Sequence, residues 1–216
     1  MSLTVCAISD THNKHDQVLI PPCDILIHAG DESFQGTEKE IRVFARWFEQ
    51  QPARHLVWTP GNHSVQFSRF YPASLEWMRE ESPRTNILLD SGVTIGGLKI
   101  WGSPRTPWFH DWAYNEVRGA QIRKYWDMIP LDTDIVVTHG PPFGIMDVVS
   151  PGTLREQAVG CQDLAEKMLV VKPKLMIFGH IHEGYGIQRS VHTTYVNAAI
   201  CDEYYEPANQ PIVLDV

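Results

Sequence analysis

Five apolar runs in this chain end in the same way. LTVCAIS leads into Asp10-Thr11-His12, DILIHA into Gly30-Asp31, HLVW into Pro60-Gly61-Asn62-His63, DIVV into Thr138-His139, and KLMIF into Gly179-His180-Ile181-His182. Short apolar runs bounded by turn formers are the pattern of buried strands. Helical patterns lie between them. Thr37-Glu38-Lys39-Glu40 reads as a capping box, and Ile41, Phe44 and Phe48 follow at helical spacing until Gln51-Pro52. Ile122, Tyr125, Trp126 and Ile129 mark a second helical face; Cys161, Leu164, Ala165 and Met168 mark a third, which stops near Pro173. Strands alternating with amphipathic helices give an α/β class. NILLD and VTIGGLKIWG, with Ser91-Gly92 between them, predict a hairpin-like pair, and TTYVNAA and PIVLDV close the chain as strands. These added strands imply a core with two sheets.

The residues that follow the apolar runs carry the chemistry. In open α/β sheets ligands bind beyond the carboxyl ends of the strands, so these Asp, Asn and His side chains are expected to meet. Counted as donors, Asp10, His12, Asp31 and His182 could surround one cation. Asp31 again, with Asn62, His139 and His180, could surround a second, which makes Asp31 the bridge. Two cations about 3.5 to 4 Å apart clamp the attacking and leaving oxygens of a phosphoryl displacement. Mixed nitrogen and oxygen ligands without thiolate suit two divalent transition-metal ions, Mn first, with Fe, Zn, Ni or Co as options. The glycines around His180 and His182 permit a turn that brings both imidazoles to one side.

At 216 residues one domain over residues 1–216 is expected. The net charge of -8 argues against a groove that tracks the phosphates of long nucleic acid, so a small-molecule phosphodiester or nucleotide is the expected substrate. No apolar run approaches the roughly 20 residues of a membrane span, and the opening MSLTVCAISD has no basic leader pattern, so a cytoplasmic location is expected. Cys6, Cys23, Cys161 and Cys201 are scattered without a C-x-x-C pair and read as reduced thiols. The oligomeric state is not legible.

The ordered set DTH, GD, GNH, THG and GHIH resembles the calcineurin-like metallophosphoesterase superfamily. PWFHDWAY, Arg118-Gly119, THGPP, VGCQDL, GHIHEGYG, TTYVNAA and NQPIVLDV extend the likeness over almost the whole chain, toward the metallophosphoesterase-domain proteins of animal brain. The resemblance implies a four-layer α/β/β/α sandwich, a dinuclear site and hydrolysis of phosphodiesters that include cyclic nucleotides. It makes His63 the acid that protonates the leaving oxygen. Two positions depart from the superfamily pattern: Ser64 stands where an acidic residue usually follows GNH, and Gly30-Asp31-Glu32-Ser33 lacks the second Asp. Some animal relatives carry Gly where this chain has His180, which favours a fully ligated second metal here.

The leading expectation is therefore a metal-dependent phosphodiesterase. Hydroxide bridging the two cations would attack phosphorus in line, while Asn62 and the metals hold the non-bridging oxygens. A phosphomonoesterase, a nuclease and a catalytically weak nucleotide-binding scaffold remain as alternatives. Trp108, Phe109 and Trp112, in a Pro-rich aromatic loop, are candidates for stacking a nucleobase. Glu183 and Tyr185, beside the ligand pair, are candidates for substrate contact or for holding an imidazole. His15 and His110 are weaker candidates for the substrate rim.

Overall fold

The computed structural model describes residues 2–216; Met1, counted in the expected single domain, lies outside them. Two sheets organise the chain. The first is built from β1 (Thr4–Ile8), β2 (Cys23–His28), β3 (Ala53–Trp58) and β4 (Thr85–Ile87), all parallel, with β15 (Ile212–Asp215) antiparallel to β1 at the far edge. The second contains β5 (Ser91–Ile95), β6 (Leu98–Ser103), β9 (Ile135–Thr138), β12 (Leu175–Phe178), β13 (Gly186–Arg189) and β14 (Thr194–Asn197). Their spatial order is β13-β14-β12-β9-β6-β5, with β6, β9, β12 and β14 parallel. Two short ribbons, β7 (Thr106–Pro107) with β8 (Asn115–Glu116) and β10 (Val148–Val149) with β11 (Gln157–Ala158), lie in the connecting loops.

Alternation along each strand explains the layering. Val5, Ala7, Ile25, Ile27 and Val57 of the first sheet face Ile100, Ile135, Val137, Leu175 and Ile177 of the second. Their neighbours point the other way, as a period of two requires. Ile8, Leu26, Leu56 and Trp58 meet α1 (Glu38–Glu49), α2 (Val65–Arg69) and α3 (Leu75–Arg79). Val136, Met176 and Phe178 meet α4 (Ala120–Asp127) and α5 (Gln162–Val171). The result is the α/β/β/α sandwich. Ile41, Phe44 and Phe48 of α1 are fully buried, which contributes ~1.5–3 kcal/mol for each large side chain. Thr37 caps that helix by accepting from Glu40 N–H while the Glu40 carboxylate accepts from Thr37 N–H, as the sequence pattern predicts. No described helix is long and apolar enough to cross a membrane.

One local expectation is corrected. The hairpin turn lies at Gly96-Gly97, where φ values of 56° and 88° supply the two left-handed residues of a tight connection. Ser91-Gly92 instead begins β5, and Asn86-Ile87 ends β4 in the other sheet. NILLD and VTIGGLKIWG are adjacent in sequence, but between them the chain crosses from one sheet to the next.

Candidate metal centre

The carboxyl ends of β1, β2, β3, β9 and β12 converge where the two sheets meet. Asp10 N–H donates to Gly30 O at 2.8 Å, His12 N–H to Asp31 O at 3.0 Å and Gly179 N–H to His139 O at 3.0 Å. Asp10, His12, Asp31 and His180 all take left-handed φ values, 51°, 40°, 55° and 68°. Such backbone costs of order 1–3 kcal/mol per residue and gathers at functional sites. Gly179 is required by close approach: a Cβ there would collide with Asp10 Oδ2 and Ser9 Oγ. That proximity lets His180 N–H donate to Asp10 Oδ2 at 2.9 Å, tying the β12 loop to the β1 loop.

Three groups of donors result, each with its ligand atoms within 4.8 Å of one another: Asp10, His12 and His182; His12, Asp31 and His63; Asp31, His139 and His180. His182 Nε2 lies 3.4 Å from Asp10 Oδ1 and 3.3 Å from His12 Nε2. His139 Nε2 lies 3.2 Å from Asp31 Oδ2 and 2.8 Å from Asn62 Oδ1. Asp31 Oδ2 is also 4.0 Å from His12 Nε2, so this carboxylate stands between the two outer groups. The chemistry of the set fits cations. Asp10 Oδ1, which faces His12 and His182, is a buried polar atom with no hydrogen-bond partner, and buried polar atoms are normally satisfied. His139 Nδ1 and His182 Nδ1 are fixed against the backbone carbonyls of Ala29 (3.0 Å) and Asp202 (2.7 Å). With Nδ1–H donating to the carbonyl, each ring turns Nε2 toward the carboxylates, the usual arrangement of a metal-ligating histidine.

Electrostatics sort the imidazoles into two kinds. Burial alone would lower His139 and His182, but Asp31 beside the first and Asp10 beside the second push both up to about 9. Burial dominates for His12, taken down to about 4, and for His180, taken down to about 3. Burial raises the Asp31 carboxyl, and His139, His63 and His12 more than reverse that, leaving it well below the ordinary range. Asp10 is lowered in the same way by His182 and His139. Asp10 and Asp31 thus hold negative charge in the buried cleft, where a cation at Nε2 of His139 and His182 would take the place of a second ring proton.

His63 is held at both its main chain and its ring. Its N–H donates to Asp31 Oδ1 at 2.8 Å, and its Nδ1 lies 2.8 Å from Phe34 O, which leaves Nε2 available. The two departures from the superfamily pattern meet here. Ser64 Oγ donates to the buried Glu32 carboxylate and accepts from Gly61 N–H, while Ser33 Oγ and Trp58 Nε1–H also donate to Glu32. Glu32 thus reaches Ser64, the position after GNH, from the β2 loop without touching the His63 ring, and burial pushes its carboxyl up to about 7.

The aromatic candidates divide. Trp108 and Phe109 line a cavity of about 510 Å³ with Arg118, Gly140, Pro141 and His180. Trp112 is half-buried and covers His63, the ring centroids 4.3 Å apart. Tyr185 donates its hydroxyl to Gln210 O at 2.8 Å, and Glu183 accepts from Ser150 N–H at 3.0 Å, so both hold chain segments together. His15 is not on the rim: it is buried against Phe44 and Trp47 of α1. His110 is exposed beside Phe109. Two neighbours of the donors were not anticipated. Phe34 stacks on His12 at 5.2 Å, and Tyr205 stands edge-on to His12 at 4.8 Å. The left-handed φ of Tyr205, 62°, is not written in any motif.

Residues 3–184 match the calcineurin-like phosphoesterase family, whose members imply divalent metal ions. Metallophosphoesterase domain-containing protein 1 of Homo sapiens is 39% identical over 232 residues, spanning 98% of this chain and 70% of that protein. A 3′,5′-cyclic-nucleotide phosphodiesterase of a Nostoc species is 24% identical over 185 residues, 83% of this chain and 64% of that one. Among solved structures, the phosphopantetheinyl hydrolase of Mycobacterium tuberculosis has the same fold, with a TM-score of 0.66 at 15% identity over 99% of this chain and 95% of that one. The span of the family match and the 39% identity together place the chain: it belongs to the calcineurin-like phosphoesterase family and is a phosphoesterase.

Proposed function

We propose that this phosphoesterase is a phosphodiesterase for small diesters, 3′,5′-cyclic nucleotides first among them, working with two divalent transition-metal ions, Mn foremost. The position of Asp31 between the His12 and His139 sides carries this reading, because one carboxylate then serves both cations. Asp10, His12 and His182 would complete one ligand set, and Asn62, His139 and His180 the other. When bound, the ions supply Lewis-acid neutralisation of phosphoryl charge and an acidified water.

The chain's own residues do the rest. Asn62, whose Oδ1 lies 2.8 Å from His139 Nε2 so that both would ligate one cation, would keep its amide N–H free for a non-bridging oxygen. His63, with Nδ1 engaged by Phe34 O, delivers a proton from Nε2 to the departing oxygen, a role worth ~10²- to 10⁴-fold. Trp108 and Phe109 offer π faces to a base in the adjoining cavity, and base stacking on such rings is typically worth about 1–3 kcal/mol. The cyclic-nucleotide activity named for the Nostoc relative and the net charge of -8, which disfavours long polymers, support a small substrate. The protein acts as one domain in this reading, in the cytoplasm.

Cyclic and linear nucleotides, an aryl phosphodiester and an aryl phosphomonoester, each assayed with Mn, test the proposal. Turnover of diesters above the monoester supports it. Turnover of the monoester alone contradicts it.

A further inference from the structure

Tyr205 sits on a turn that also fixes His182. Asp202 O accepts His182 Nδ1–H at 2.7 Å and Tyr205 N–H at 2.9 Å. Asp202 Oδ1 accepts the N–H groups of Tyr204 and Glu206, both at 2.9 Å, and Asp202 N–H donates to Glu206 O at 2.8 Å. Lys14 Nζ, on the β1 loop, pairs with Glu206 at 2.9 Å. The turn is thereby closed from every side. Its φ of 62° at residue 205 suits Gly or Asn, and a bulky residue there is strained.

The ring lies over the donors. Its centroid is 4.8 Å from His12, 5.4 Å from His182 and 6.4 Å from His63, and it meets Phe34 at 5.6 Å. Tyr205 and Phe34 are each more than a third exposed, so their outer edges remain open beside His63. The cavity of Trp108 and Phe109 is lined by His180, in the other outer donor group. Aromatic surfaces thus border both ends of the donor cluster.

We propose that Tyr205 is a substrate-contacting residue, forming with Phe34 the platform on which the planar substituent of the leaving group rests as His63 protonates it. This rests on the phosphodiesterase reading. It adds a substrate class: diesters with planar groups on both sides of phosphorus, one at Trp108 and Phe109, the other at Tyr205 and Phe34.

Tyr205→Gly and Tyr205→Phe test it on the full chain loaded with Mn. The readouts are KM and kcat for bis(4-nitrophenyl) phosphate, the Kd of adenosine monophosphate by calorimetry, Mn affinity and thermal midpoint. Tyr205→Gly should raise KM and Kd about tenfold, as loss of one stacking face does. Mn affinity should stay within twofold and the midpoint within a few degrees, because relief of the left-handed strain offsets the lost ring contacts. Tyr205→Phe should keep both constants within about twofold. Unchanged KM and Kd in Tyr205→Gly, or weakened Mn binding in their place, would assign the ring to packing around His12 and overturn the proposal. A wild-type chain that binds the monophosphate but hydrolyses no diester removes the phosphodiesterase reading, and the Kd ratio still decides the role of Tyr205. A chain that binds no monophosphate and turns over no diester overturns both.

Discussion

The Nε2 atoms of His12 and His182 stand 3.3 Å apart, while Nδ1 of His182 is committed to the Asp202 carbonyl. Asp10 Oδ1, buried and without a hydrogen-bond partner, lies 3.4 Å from the same His182 nitrogen. Three donors face one point. His180, two residues away, is elsewhere: its ring lies 4.9 Å from that of His139, and its main chain, not its ring, contacts Asp10. The two histidines of GHIH therefore belong to different sides of Asp31.

His180→Gly should separate those sides. The backbone at 180 has φ 68°, which glycine adopts freely, so the fold is unharmed. One cation should weaken, and activity titrated against Mn should need a higher concentration for half-maximal rate. The emptied volume adjoins the cavity of Trp108 and Phe109, so nucleoside monophosphates should bind more tightly while diesters turn over more slowly. An unchanged Mn requirement would show that His180 is not a ligand.

His63→Ala should leave metal content nearly intact and slow hydrolysis by ~10²- to 10⁴-fold. An aryl leaving group, stable as an anion, should suffer less than an alkoxide. Paired assays on an aryl and an alkyl diester check this, and equal losses would mean that His63 does not protonate.

Legibility varied with the range of the interactions. The five strand-end motifs were readable because parallel strands put their carboxyl ends on one side, so Asp10, Asp31, His139 and His182 could be brought together from their places after apolar runs. The hairpin was misplaced because Ser91-Gly92 and Gly96-Gly97 look alike as turn signals, and only pairing across the sheet separates them. The short α2 and α3 carry too few turns to show a period. Tyr205 and Phe34 were invisible for another reason: a ring enters the site through backbone conformation and tertiary contact, and neither leaves a spacing in the sequence.

His28 carries a pH dependence of stability. It is fully buried, with Nε2 3.0 Å from Thr11 Oγ1 and Nδ1 accepting from Gly30 N–H, and burial takes it from 6.5 down to about 3. The unfolded chain then binds a proton that the folded chain refuses. The stability contributed is complete above pH 6.5 and is lost as pH falls toward 3, by about 2 kcal/mol at pH 5. Denaturant unfolding of the metal-free protein at pH 7 and pH 5, with the His28 proton resonance followed by NMR, checks this. A His28 titration near 6.5 would contradict it.

Metal content bears most directly on a centre shared through Asp31. Elemental analysis after reconstitution with Mn and removal of free ion should find two Mn per wild-type chain, and fewer than one in Asp31→Asn, since that carboxylate stands between both donor sets. No bound metal in the wild type, or an Asp31→Asn variant that keeps both ions, would contradict the account.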